Sequence, residues 1–368
     1  VGERVVVVGG GVLGTLHAWT ALARGAEVDH LEREADARGA SVRNFGLVWV
    51  SGRAPEAELE VALRARDLWD EVAAACPGTG LRPAGSLTVA RDEGELAALS
   101  WAAAQPDAAR RGFTLLDPSG AREANPALRG QLLGALHCRA DAVVEPRAVP
   151  GAVRAGCERT GRYRFWPGTE AHDLVRRGVR DARGRVHRGD RVVLCPGAAH
   201  GGLLADALAD VPLTRVRLQM LETAPLGEPV PTALADGDSL RYYPAFAGAR
   251  GHLGAQDETA AAFAAQLLLV QRADGGLTIG DTHDEGLPLP FDLDERATGH
   301  LLSVAQDLLG RTLPPVVRRW AGVYSRFDPP VPGPVYYRAP VAEGVEVVTG
   351  PGGRGMTLAP AIAEETFA

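Results

Sequence analysis

The stretch VVVVGGGVLGTLHAWTALARGAEVDHLERE, residues 5–34, restricts the fold more than any other part of the chain. An apolar run from Val5 to Val8 leads directly into glycines at Gly9, Gly11 and Gly14, the G-x-G-x-x-G order. The first glycine permits a tight turn, the second lets backbone approach a pyrophosphate, and the third lets the next helix pack close to the strand. A helix starting there turns unpaired N–H groups and a positive dipole end toward phosphates. A second strand then closes at Glu32, near the ~20-residue offset at which a carboxylate accepts from ribose hydroxyls. Strand, turn, helix, strand and acid in register describe a dinucleotide-binding unit rather than an ordinary βαβ corner. The carboxylate would repel a 2′-phosphate, which disfavours NADP. NAD and FAD both stay open at this point.

Composition bounds the rest. The chain has 368 residues, 46% hydrophobic and 23% charged, which suits two domains with a core each. No apolar run approaches the ~20 residues that cross a bilayer, and no basic and apolar leader precedes the first strand, so a cytoplasmic protein without a membrane span is expected. Cys76, Cys138, Cys157 and Cys195 show no C-x-x-C spacing and read as reduced thiols. The histidines show no H-x-x-x-H pair, so no metal site is expected. A net charge of −7 without a basic block gives a nucleic-acid partner little electrostatic support, and a small molecule is the expected partner. The chain has no lysine, so all 39 basic residues are arginine and no lysine Schiff base can form.

Along the chain, residues 39–52 read as a loop and residues 55–80 as a helix ended by Pro and Gly. Residues 85–92 alternate like a strand, residues 93–112 look helical, and residues 143–161 read as a strand end followed by a helix. Residues 162–199 resume nucleotide-domain texture, with a buried strand at Val192–Cys195. From 213 to 319 separated strands dominate, with one helix near 294–310. Residues 344–367 return to strand, glycine turn and helix. The expected division is a discontinuous nucleotide domain at 1–85, 140–212 and 320–368, with a substrate domain at 86–139 and 213–319.

The N-terminal VVVVGGGVLG, the mid-chain VVLCPGA and the terminal GPGGRGMTLAPAIAEE together resemble the FAD-dependent D-amino-acid oxidase superfamily, which includes glycine and sarcosine oxidases. More narrowly, GASVRNFG, LRYYPAF, GDTHDEG and GGRGMTLAPAIAEE resemble a subgroup associated with aminophosphonate catabolism. The resemblance implies an α/β fold: a Rossmann-like FAD-binding domain of the glutathione-reductase type, with an inserted strand-rich α+β substrate domain. It puts the adenosine ribose at Glu32 with Arg33 beside it, and pyrophosphate on Gly9 to Gly14 and near Ser41. Arg43, Asn44, Gly46 and Leu47 would approach the flavin, the Ala171 backbone the adenine, and Gly197 the dinucleotide. Gly353, Gly355, Met356 and Thr357 would present backbone and a helix start to the pyrimidine end of the ring, where N–H donors stabilise negative charge.

Two departures from the family pattern stand out. Sarcosine-oxidase relatives tether their flavin through a cysteine, and none follows Cys195, so non-covalent FAD is expected. Those relatives also use a lysine to help dioxygen react, which this chain lacks. An arginine or His283 would supply the positive charge, or another electron acceptor replaces dioxygen.

The resemblance implies an amine substrate bearing an acid group, oxidised to an imine that water hydrolyses, with an aminophosphonate as the preferred guess. Arginine forks suit such a group. Arg241 in SLRYYPAF and Arg326 in WAGVYSRFDP are the candidates, set against an ion-paired role for each. Tyr242 and Tyr324 are candidate hydroxyl donors, with packing as the alternative. His283, between Asp281, Asp284 and Glu285, is the catalytic candidate, its charged form favoured by those acids. Trp49 and His17 read as packing. The competing functions are a flavin-dependent RNA-modifying or RNA-binding protein, which calls for a basic stripe, and an NAD-dependent dehydrogenase.

Overall fold

In the computed structural model, which describes residues 2–329 and 333–368, the valine run becomes the strand β1, Arg4–Val8. Val5, Val6 and Val7 are fully buried, because β1 lies inside a sheet covered on both faces, where apolar runs replace alternation. It pairs in parallel with β2, Glu27–Leu31, and on its other side with Arg191–Leu194. Tyr163–Trp166 extends the sheet beyond β2, and Val345–Thr349 extends it beyond Arg191–Leu194, both in parallel. Tyr337–Ala342 closes the far edge in the antiparallel sense. The C-terminal segment therefore completes the sheet that the N-terminal segment begins. The helix α1, Val12–Ala23, crosses from β1 to β2. It shares one apolar core with the helices Ala57–Ala75 and Gly355–Thr366. In that core the Trp69 indole N–H reaches the carbonyls of Met356 and Thr357 at 3.0 and 3.2 Å.

A second sheet has eight strands, antiparallel except where Ala233–Ala235 runs parallel to Ser86–Ala90. Its longest pairing joins Leu213–Thr223 to Val316–Phe327. The second of these strands runs unbroken through residue 320, so the expected cut there falls inside one element of this sheet. Helix Glu295–Leu309 covers one face. On the other, Phe45, Leu47 and Trp49 from the loop of the first unit pack with Met220, Tyr243 and Leu268. The expected loop at 39–52 holds a 3-10 turn, Ala40–Val42, and a short strand, Leu47–Val48. An antiparallel sheet of Ala171–Val175, Gly178–Asp181 and Val186–Arg188 was not anticipated. No helix of the described residues is long and apolar enough to cross a membrane.

Candidate functional site

The glycine turn is as tight as its sequence requires. A Cβ on Gly14 would lie 1.9 Å from the Gly9 carbonyl oxygen, and one on Gly9 would lie 2.3 Å from that of Cys195. Gly9 also holds a φ of +112°, which favours glycine. Glu32 folds its carboxylate under the turn, accepting from the N–H of Gly10 at 2.6 Å and of Glu34 at 2.9 Å. Ser41 reaches the start of α1, where its hydroxyl accepts from the Val12 N–H at 2.9 Å.

The loop after Ser41 is held by side chains. Asn44 donates to the carbonyls of Ala40 and Ser41 and accepts from the Gly46 N–H at 2.7 Å. Arg43 donates to the Ala321 carbonyl at 3.0 Å, tying the loop to the second sheet. Thr357 accepts from the Trp49 N–H at 2.9 Å. Further on, the buried Asp141 accepts from the N–H groups of Val50 and Ser51 and from the hydroxyls of Ser51 and Ser86.

Between the turn, this loop and the second sheet runs a continuous cavity of about 960 Å³, at the upper end of the roughly 300–1,000 Å³ of ligand pockets. Gly9, Gly11, Gly14, Glu32, Arg33, Ser41 and Ala171 line one end. Arg43, Asn44, Leu47, Gly197, Gly353, Gly355 and Met356 line it further along, and Tyr242, His283, Tyr324 and Arg326 line it as well. Helix Gly355–Thr366 has no side-chain cap, so its first N–H groups stay available. Three buried side-chain atoms without a hydrogen-bond partner belong to lining residues: Trp49 Nε1, Gln266 Oε1 and Ser325 Oγ.

At the second sheet, the hydroxyls of Tyr242 and Tyr324 stand 3.1 Å apart. Burial pushes both phenols above their ordinary value, so both keep their protons. One hydroxyl donates to the other, which leaves one O–H free for a ligand. The His283 ring stacks on Tyr242 at 4.2 Å between centroids. Its Nδ1 lies 3.0 Å from the Ala264 carbonyl, which only accepts, so Nδ1 carries the proton. Nε2 stands 3.9 Å from Asp281. Burial pushes the Asp281 carboxyl up, and His283 opposes this.

Several expected residues sit differently. Arg241 does not line the cavity: it pairs with Asp238 at 3.0 Å and donates to the Gly254 carbonyl. Arg326 lines it, but its fork is taken by Glu285 at 2.5 Å and Asp328 at 2.6 Å. Of the acids flanking His283, Asp284 pairs with Arg217 and Glu285 with Arg326, and among the described residues Asp281 is the one that stands close to a ring nitrogen, at 3.9 Å. Gly46 and Thr357 lie behind the wall. Gly46 has a φ of +71° and no room for a side chain beside the Val144 carbonyl. Trp49 both packs in the core and lines the cavity. Arg53, Tyr243, Gln266 and Arg354 also line it and were not among the expected site residues. Tyr243 lies in LRYYPAF and Arg354 in GGRGMTLAPAIAEE, whereas Arg53 and Gln266 carried no sequence signal beyond residue type. Among the described residues no cluster of His, Cys, Asp and Glu could hold a metal ion.

A glycine turn, a helix start and a distant C-terminal helix along one cavity define a dinucleotide-binding fold of mixed α/β class. A family model described as "FAD dependent oxidoreductase" matches residues 4–368, and the chain belongs to that family. Its cofactor is therefore FAD, which removes the NAD reading. The residues present fit it: the glycine cradle admits no Cβ, and the lining carries unpartnered polar atoms. The chain is 29% identical over 169 residues to a subunit of the opine oxidase of Rhizobium meliloti, covering 43% of this chain and 45% of that protein. It is 34% identical over 210 residues to the putative thiamine biosynthesis oxidoreductase ThiO of Rhizobium etli, covering 55% and 56%. The chain thus spans about half the length of the curated relatives it matches. In three dimensions it resembles glycine oxidase from Bacillus cereus, with a TM-score of 0.77 at 19% identity, covering 99% of this chain and 93% of that one.

Proposed function

We propose that this protein is an FAD-dependent oxidoreductase that oxidises a small amine bearing an acid group to an imine, which water hydrolyses. The observation that carries the reading is the single cavity that joins the glycine turn to the tyrosine pair, His283 and nearby arginines. Glycine oxidase and opine oxidase, by their names, act on compounds of this kind, which supports the reading. FAD, when bound, supplies the two-electron acceptor. The chain's own residues bind and orient. Glu32, with Arg33 nearby, serves the adenosine ribose, and the turn at Gly9 to Gly14 with Ser41 takes the pyrophosphate. Ala171 and Gly197 flank the dinucleotide. Arg43, Asn44 and Leu47 border the ring, braced by Gly46 and Thr357. The uncapped helix start at Gly353 to Met356 offers N–H donors to the ring end that gains negative charge on reduction. With no cysteine after Cys195, the cofactor is held non-covalently.

His283, stacked on Tyr242, orients the amine and supplies positive charge when protonated. Electrons leave to dioxygen or to another acceptor. Among acid-bearing amines the preferred substrate is an aminophosphonate, on the resemblance of GASVRNFG, LRYYPAF and GDTHDEG to the subgroup linked to that chemistry. The test is the rate of anaerobic flavin reduction by 2-aminoethylphosphonate, its N-methyl and 1-hydroxy derivatives, glycine and sarcosine. The phosphonates are expected to react fastest. Faster reduction by glycine or sarcosine overturns the phosphonate assignment.

A further inference from the structure

Two arginines that were not among the expected site residues, Arg53 and Arg354, meet near the tyrosine pair. Arg53 is buried, donating through Nε to the Trp49 carbonyl at 2.8 Å, with its guanidinium 5.7 Å from the Tyr243 ring centre. Arg354 stands at the cap of helix Gly355–Thr366. It follows Gly353, where a Cβ would lie 3.7 Å from the Tyr242 hydroxyl and 3.8 Å from that of Tyr324. Both converge on Glu58. Arg354 Nε donates to its Oε1 at 2.6 Å, and Arg53 Nη1 lies 3.6 Å from the same oxygen. Among the described residues, the terminal nitrogens of these two arginines have no hydrogen-bond partner, although both side chains line the cavity. Glu58 is, among the described residues, the one carboxylate within bonding reach of both guanidinium groups, and Asp328 acts on Arg354 only through space. At Arg326 the balance is the reverse, two carboxylates to one guanidinium.

Two partly buried guanidinium groups that share one close carboxylate and keep open donors attract an anion. We propose that Arg53 and Arg354, held in place by Glu58, bind the acid group of the substrate, with the free tyrosine O–H as a third donor. The proposal rests on the amine-oxidising reading and deepens it. Two forks and a hydroxyl suit the three oxygens of a phosphonate better than the two of a carboxylate. Glu58 is a positioning residue: it fixes where both forks point and does not itself meet the anion.

The test titrates the FAD-loaded protein with methylphosphonate, inorganic phosphate and acetate, following the flavin absorbance. Methylphosphonate is expected to perturb the spectrum at lower concentration than acetate. Arg354→Gln is expected to weaken it roughly thirtyfold or more, the scale of losing one partner of a buried charged pair. Arg53→Lys fills the same space and keeps the charge, and is expected to weaken it too, because the fork is lost. FAD content per protein shows whether each variant is folded. Unchanged methylphosphonate affinity in both variants, with the loss appearing instead in Arg326→Gln, overturns the proposal. If the expected weakening appears and no amine reduces the flavin, the anion site stands and the amine reading falls. If amines reduce the flavin and both variants bind methylphosphonate as the parent does, the arginine pair falls and the amine reading stands.

Discussion

His30 shows how a single side chain can brace a cofactor turn from behind. Its Nε2 donates to the Gly9 carbonyl at 2.9 Å, and its Nδ1 lies 2.8 Å from the Tyr163 hydroxyl. Both nitrogens are engaged while the ring is neutral, and burial pushes its pKa down to about 4 from 6.5. His17, bridging α1 and the C-terminal helix through Leu13 and Thr366, is pushed down to about 4 for the same reason. In the unfolded chain both protonate first. Their contribution to stability is therefore complete above pH 6.5 and is lost as pH falls toward 4. Each histidine contributes a slope of about 1.4 kcal/mol per pH unit across that window. Asp236, pushed up to about 7 by burial, acts in the opposite sense. A comparison with a variant isolates the histidine term: thermal unfolding of His30→Gln should depend less on pH between 4 and 6.5 than that of the parent. An equal dependence would show that His30 does not titrate on unfolding.

At the scale of elements, the segment from Ser41 to Arg53 joins the two sheets, and Asp141 holds it. Four donors converge on this one carboxylate, two from backbone and two from serine hydroxyls. Arg111 meets the carbonyls of Val50 and Ser51 from the other side. Asp141→Ala leaves those four donors buried without a partner, and the expected cost is about 3 kcal/mol or more, read from urea unfolding. A loss under about 0.5 kcal/mol, the scale of an ordinary surface change, would contradict this account. The glycine turn was legible because its chemistry is local: three glycines and an acid sit within one βαβ unit. Asp141 was not, since its partners at residues 50, 51 and 86 come from separate places in the chain. Arg241 and Arg326 were singled out by residue type near suggestive motifs, and only the fold shows that local acids occupy them.

For the whole molecule, the closing helix is the decisive piece. Val345–Thr349 returns to the sheet begun by β1, which carries Gly353 to Met356 into the same cavity as the N-terminal turn. The parallel sheet could be read from its apolar strands and glycine turns. The eight-stranded sheet was legible only as a strand-rich region, because its register depends on pairings such as Leu213 with Phe327 that no local pattern specifies. The same pairing places Tyr324 opposite Val216, and the separate helix Ser239–Tyr242 brings Tyr242 within 3.1 Å of its hydroxyl at the cavity wall. The central claim is that the cavity brings an acid-bearing amine to the flavin. Its most direct measurement is anaerobic, single-turnover bleaching of the flavin by 2-aminoethylphosphonate beside ethylamine, which keeps the amine and lacks the acid. The account predicts rapid bleaching by the phosphonate and little by ethylamine; bleaching by ethylamine at an equal or faster rate would contradict it.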